Sequence, residues 1–277
     1  NLNLISKKIP VILYGQTIGP YSSWRKFLVS RFFKTMSVVT RDKINYDHLN
    51  TNYQFKRCDE SRDLALLDLP KQKNRSSILT SYDLESDNYI CIVISGLYYQ
   101  YCNSKEKYIK NWNNIISLIS NKFFNYKIVL LTHVHTKNYS DSLIIDKIEN
   151  SNNILKITNK MLPSEAREIL GNAYFTITGR MHAAVSSFQM GKPAISLSYG
   201  VKYKGVVGDG LNMSDLLIEK DNILWDNFLI ASVLNEKIDF LIDNYFKISK
   251  EIPQSVNDCQ EIINKSLDKL ILNKDKE

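Results

Sequence analysis

The sequence predicts an α/β protein whose parallel strands are covered by helices on both faces. Three observations carry the prediction. Short apolar runs, as at residues 10–14 and 89–94, suit strands buried on both sides. Segments with apolar residues at three- and four-residue spacing separate them and supply crossover helices. Glycine or charged residues then stand at several strand ends, where open parallel sheets bind ligands.

The elements follow in order. Residues 10–14 read as a buried strand that stops at Gly15, and the loop Gly15-Gln16-Thr17-Ile18-Gly19-Pro20 leads to a helix over 23–34. A strand over 37–40 ends at Arg41-Asp42, with Asp42 opening a helix over 43–49. Residues 55–58 read as a strand, and Asp63-Leu64-Ala65 as the loop after it. Residues 70–87 are polar and aperiodic and read as an interdomain linker. A second unit opens with the strand 89–94, followed by helix 107–122, strand 127–132, helix 138–151 and strand 154–156. Pro163 opens a helix through Leu170. Then come strand 174–178, a helix from Arg180 or Met181 to Met190, and strand 194–198. Beyond Trp225 the chain reads as helical; Val256, Cys259, Ile263, Leu267 and Leu270 make a stripe expected to pack on the body, and residues 273–277 are expected to fray. The expected domains are 1–80, 81–225 and the helices of 226–277.

Composition narrows the functional classes. A hydrophobic content of 44% over 277 residues supports an ordinary globular core. No apolar run is long enough to span a bilayer, and the start lacks the apolar core of a signal peptide. Cys58, Cys91, Cys102 and Cys259 show no metal spacing, so free thiols in a reducing cytoplasm are expected. The net charge of +7 points to an anionic partner and is spread along the chain without a nucleic-acid signature; a small anionic substrate or an acidic membrane surface explains it as well as nucleic acid does.

The densest chemistry lies in Thr178-Gly179-Arg180-Met181-His182-Ala183, followed by Gly191-Lys192-Pro193 and Ser198-Tyr199-Gly200-Val201-Lys202. Gly179 allows a tight strand-to-helix turn, and the helix start favours an anion. Arg180 adds a planar fork for carboxylate or phosphate, and His182 a proton donor or acceptor. The competing structural reading has Arg180 paired with a carboxylate and His182 capping backbone. Lys202 follows the next strand and approaches the same edge; Lys204 reads as a solvated surface lysine. Arg41 could serve an anion or form a buried pair with Asp42. The Gly15–Pro20 loop is neither a Walker loop nor a dinucleotide fingerprint, and either turns the chain or offers N–H groups to a ligand. His133 and His135, two apart, could with Asp141 suggest a metal, but no third ligand stands at a recognisable spacing; His133 lining the ligand site is the preferred reading.

Taken together, these segments resemble the polysaccharide pyruvyl transferase family. Gly15–Pro20 is similar to its GQxIGP loop, Thr40-Arg41-Asp42 to its xRD segment, Asp63-Leu64-Ala65 to its D-P-A loop, and Thr178–Ala183 to its T-x-R-L-H-A motif. Gly191-Lys192-Pro193 and Ser198–Lys202 resemble its GxP and S-Y-D-P-K segments, with Gly200-Val201 in place of Asp-Pro and Met181 in place of Leu. The family's N-terminal glycine-rich segment is absent, so the first half is expected to be incomplete. The resemblance implies two Rossmann-like halves of the glycosyltransferase-B type facing a cleft, and transfer of pyruvyl from phosphoenolpyruvate to a sugar of a polysaccharide or lipid-linked glycan. It places His182, Arg180 and Arg41 in the donor site as catalytic residues, with Lys202 as a further member; Gly179, Gln16 and His133 are expected beside them in substrate binding, with neither metal nor cofactor beyond the phosphoenolpyruvate donor. A nucleotide-sugar glycosyltransferase and a non-catalytic glycan binder are the alternatives. The cytoplasm is the expected compartment, with loose docking at the inner membrane face through the helical tail; nucleic acid is not an expected partner.

Overall fold

A computed structural model describes residues 9, 11–70, 72 and 78–272. Its backbone forms two compact units: one from Asn1–Leu67, Lys204–Ser214 and Ser255–Glu277, the other from Asp68–Tyr203 and Asp215–Gln254. Every strand pairing in both is parallel.

The first unit carries the sheet β1-β2-β3, from Ile12–Gln16, Ser37–Thr40 and Arg57–Glu60. Its crossovers are helices α1 (Ser23–Phe33) and α2 (Lys43–Asn52). The core gathers Ile18, Phe33, Val38, Leu49 and Tyr53. β1 is interrupted where its register against β2 shifts between Tyr14 and Gln16, at Gly15 with φ +71°. That left-handed backbone is what glycine permits without strain. Asn45 of α2 then fixes the following loop, accepting from Ile18 N at 2.9 Å and donating to Ile18 O at 2.8 Å. Asp42 caps α2, accepting from Asn45 N at 2.7 Å, so the helix begins where the sequence indicates.

The second unit carries six strands in the order β6-β5-β4-β7-β8-β9. They are β4 (Tyr89–Val93), β5 (Lys127–Leu131), β6 (Ile154–Ile157), β7 (Thr176–Thr178), β8 (Ala194–Leu197) and the short β9 (Leu217–Ile218). The chain winds outward one way from β4 and the other way from β7, so the order reverses between these two strands. All five residues of β4 are buried, as the central strand of a doubly covered sheet requires. The remaining helices are α3 (Ile78–Ser81), α4 (Lys105–Lys122), α5 (Ser142–Ile145), α6 (Pro163–Gly171), α7 (Met181–Gln189), α8 (Asn222–Asp226), α9 (Ile230–Asp243) and α10 (Tyr245–Leu272). α4 starts at Ser104, whose hydroxyl accepts from Lys107 N. It buries Tyr108, Trp112, Ile115, Ile116 and Ile119 on one face.

The helix expected over 138–151 shrinks to α5. Its front is lost because Asp141 is drawn into bonds with backbone N–H groups of the neighbouring loops. Behind it the i→i−3 bonds of Lys147 and Ile148 tighten the chain into turns. Of the expected linker, residues 71 and 73–77 lie outside the described residues, and 78–81 is helical. Pro10 and residues 273–277 also lie outside them. The tail behaves as its spacing predicts: Val256, Cys259 and Ile263 are buried and Leu267 and Leu270 half-buried. β9 and the π-helix Lys204–Gly210 carry no periodicity a reader of the sequence could have used. All four cysteines are free thiols. Among the described residues, no helix is long and apolar enough to cross a membrane.

Candidate active site

The chain turns sharply at the end of β7. Thr178 Oγ1 accepts from Arg180 N at 2.8 Å and donates to Arg180 O at 3.1 Å, so one hydroxyl closes the turn that starts α7. Glycine is needed at 179 for closeness rather than for a left-handed backbone. A Cβ there would stand 2.8 Å from Tyr101 Oη and 3.1 Å from Ser95 Cβ. The Gly179 carbonyl accepts from the hydroxyls of Tyr101 at 2.9 Å and Tyr203 at 2.6 Å. The tight turn expected from sequence forms without a left-handed backbone: positive φ occurs at Gly15, Gly19 and Gly191 but not here.

Arg180 is 9% exposed. Its Nε and Nη2 donate to Asp141 Oδ1 at 2.9 and 2.6 Å, and Nη2 also donates to Tyr139 O at 3.2 Å. Nη1 makes no hydrogen bond among the described residues. Burial alone would lower the Arg180 pKa; the charge of Asp141 and the bonds to it outweigh that and hold it above the usual guanidinium value. The cation is thus permanent, and its plane is fixed.

Asp141 organises the cluster. Fully buried, it accepts from Gly96 N at 2.8 Å on Oδ1 and from His133 N and Val134 N at 3.1 and 2.9 Å on Oδ2, besides Arg180. It ties together the loops after β4, β5 and β7, of which β4 and β7 flank the reversal of order. Ligands of open α/β sheets bind at such a switch point. The sequence reading weighed Asp141 only as a metal ligand beside His133 and His135; its oxygens are engaged by N–H groups instead.

His182 occupies the first turn of α7 and is exposed. His133, half-buried at the end of β5, interacts electrostatically with His182, Arg180, His135 and Asp141, so the structure brings Arg180, His182 and His133 into one neighbourhood. Burial pushes the His133 pKa down to about 4; the neighbouring His182, Arg180 and His135 add to this against the pull of Asp141. His133 is therefore a neutral imidazole at physiological pH. Its pKa is depressed on folding, so its contribution is present above the unfolded value near 6.5 and is lost as pH falls toward 4. We predict up to about 3 kcal/mol of acid-linked destabilisation across that window. His133→Asn should flatten the decline, as melting temperatures recorded along a pH series would show.

Lys202 stacks on Tyr199, its Nζ 4.6 Å from the ring centroid and 2.6 Å from the Tyr199 hydroxyl. Tyr199 in turn interacts electrostatically with Arg180, which links Lys202 to the same group. Tyr101, Tyr199 and Tyr203 form an aromatic wall behind Gly179. The sequence reading missed this wall, as it missed Gly96. The one available signal was Ser95-Gly96 directly after a wholly apolar strand.

Arg41 and Gln16 belong to the first unit. The expected alternative pair Arg41–Asp42 does not form: Arg41 Nη1 meets Asp63 Oδ2 at 3.0 Å and its Nε donates to Thr17 Oγ1 at 2.9 Å. Asp63 also caps the turn at Leu64–Leu66 by accepting from Ala65 N at 3.0 Å. That double duty explains an aspartate two residues before Ala65. Asp42 is buried, and burial raises its pKa. Gln16 is exposed at the end of β1.

Comparison with known proteins adds three findings. The sequence model of the family described as polysaccharide pyruvyl transferase matches residues 1–201. The amylovoran biosynthesis protein AmsJ of Erwinia amylovora is 20% identical over 281 residues, covering 95% of this chain and 65% of that protein. Among solved structures, a UDP-GlcNAc 2-epimerase from Neisseria meningitidis bound to UDP-GlcNAc is similar at TM-score 0.56 and 14% identity, covering 97% of this chain and 73% of the other. A UDP-forming trehalose-phosphate synthase from Burkholderia vietnamiensis gives TM-score 0.56 at 8% identity, covering 96% and 68%. The structural likenesses establish the fold: parallel α/β units of the glycosyltransferase-B type with a helical C-terminal region.

Proposed function

Since this chain belongs to the polysaccharide pyruvyl transferase family, we propose that it moves a pyruvyl group from phosphoenolpyruvate to two hydroxyls of a glycan sugar, forming a ketal and releasing phosphate. The observation that carries the reading is the cluster at the ends of β4, β5 and β7: a guanidinium held rigid by Asp141 beside His182 and His133. A fixed cation whose Nη1 makes no hydrogen bond among the described residues suits a carboxylate or phosphate of the donor. His182, exposed on the helix start, gives a proton to the C3 methylene, which makes C2 electrophilic. A sugar hydroxyl adds to C2 and returns its proton to the imidazole. The bond from C2 to the phosphate oxygen breaks, and phosphate leaves with the electron pair. The second hydroxyl closes the ring and releases the remaining proton. Lys202, steered by Tyr199, neutralises the departing phosphate. For Arg41 and Gln16 the motif match supports a part in substrate handling.

A second reading is favoured by the solved neighbours, one bound to UDP-GlcNAc and one a UDP-forming synthase: the same cations would grip the diphosphate of a nucleotide sugar. Phosphate release decides between them. Incubation with phosphoenolpyruvate and a panel of galactose-, mannose- and N-acetylmannosamine-containing acceptors should free phosphate only when one acceptor is present. Consumption of a UDP-sugar, with no phosphate from phosphoenolpyruvate on any acceptor, supports the second reading.

A further inference from the structure

The outer face of α1 carries a group of exposed apolar side chains that the donor reading leaves unused. Trp24, Phe27, Leu28 and Phe32 are exposed by 64, 65, 43 and 37%. They recur at the spacing of one helical face, while Val29 and Phe33 pack into the core of the first unit. Arg25 and Arg31 stand among them and are exposed, as is Lys34 just beyond the helix. Arg25 lies 5.4 Å from the Trp24 ring centroid. No acidic residue precedes Asp42 in the sequence.

We propose that this face seats the protein on an anionic lipid surface. Aromatic and leucine side chains would enter the boundary between headgroups and acyl chains, while guanidinium groups at the same level meet lipid phosphates. Charge selects this occupant over a second copy of the chain. A two-fold pairing through α1 sets the same patch against itself and brings Arg25 and Arg31 against like charges. The tail, the site expected from sequence, fits less well. The ion pairs Lys247–Glu251 and Lys265–Glu261 give α10 a mixed outer face.

The test is flotation of the full chain with vesicles of phosphatidylcholine alone and of phosphatidylcholine mixed with phosphatidylglycerol. The chain should float with the anionic vesicles, and added salt should weaken the binding. Trp24→Ala/Phe27→Ala should lower partitioning by about tenfold or more. Arg25→Gln/Arg31→Gln should remove the preference for phosphatidylglycerol. These exposed positions leave the fold intact, which unchanged circular dichroism would verify. Absence of flotation, or equal flotation of the aromatic double variant, overturns the proposal. So does a concentration-dependent dimer in sedimentation equilibrium that the same variant dissolves. Vesicle binding reads out without turnover, so either this proposal or the donor assignment can fail alone.

Discussion

Asp141→Ala is expected to destabilise the protein by about 3–5 kcal/mol, a fall of roughly 10 °C in melting temperature for a chain of this size. The size follows from what the carboxylate leaves behind. Arg180 becomes a nearly buried cation without its counter-charge, and the N–H groups of Gly96, His133 and Val134 lose their acceptor. Each orphaned group carries its own desolvation cost. Asp141→Asn keeps one acceptor oxygen and the shape, so it should fall between wild type and alanine. A ranking of Asp141→Ala below Asp141→Asn below wild type in thermal melts supports the assignment of Asp141 as the tie between three strand ends. Equal stability of all three would remove it.

The second large effect is kinetic. His182→Ala should reduce the transfer rate by about 10²–10⁴, the usual contribution of a positioned general acid or base. Because His182 is exposed, its melting temperature should move little, which separates loss of chemistry from loss of fold. Arg180→Lys should lower the rate by about 10²–10³. An ammonium is a single point of charge and cannot both hold Asp141 through two nitrogens and present a third to the substrate. The two variants should differ in character. His182→Ala leaves donor affinity near wild type and depresses kcat, whereas Arg180→Lys also weakens donor binding. Unchanged turnover in His182→Ala would take the imidazole out of the mechanism.

Much of this architecture is legible in the sequence because its signals are local. Apolar runs mark β4 and most of β5, Asp42 marks a helix start, and the stripe from Val256 to Ile263 marks a packed face. What escapes is set by contacts between distant segments. Asp141 sits in a stretch that reads as helix, yet its bonds run to residues 45 positions earlier and 39 later. Arg41 stands beside Asp42 in sequence but pairs with Asp63, 22 positions later. Gly179 looks like a turn glycine, while its need comes from Tyr101 and Ser95 pressing on it from another loop. Sequence reading also offered Arg180 as either ligand or ion-pair partner. The structure gives the ion pair with Asp141.

Calorimetric titration of phosphoenolpyruvate and of UDP, each into wild type and Arg180→Lys, tests the central claim most directly, since it needs no acceptor. The account predicts saturable binding of phosphoenolpyruvate that is lost or weakened at least tenfold in the lysine variant. Binding of UDP with no heat from phosphoenolpyruvate, or equal phosphoenolpyruvate affinity in both proteins, would contradict it.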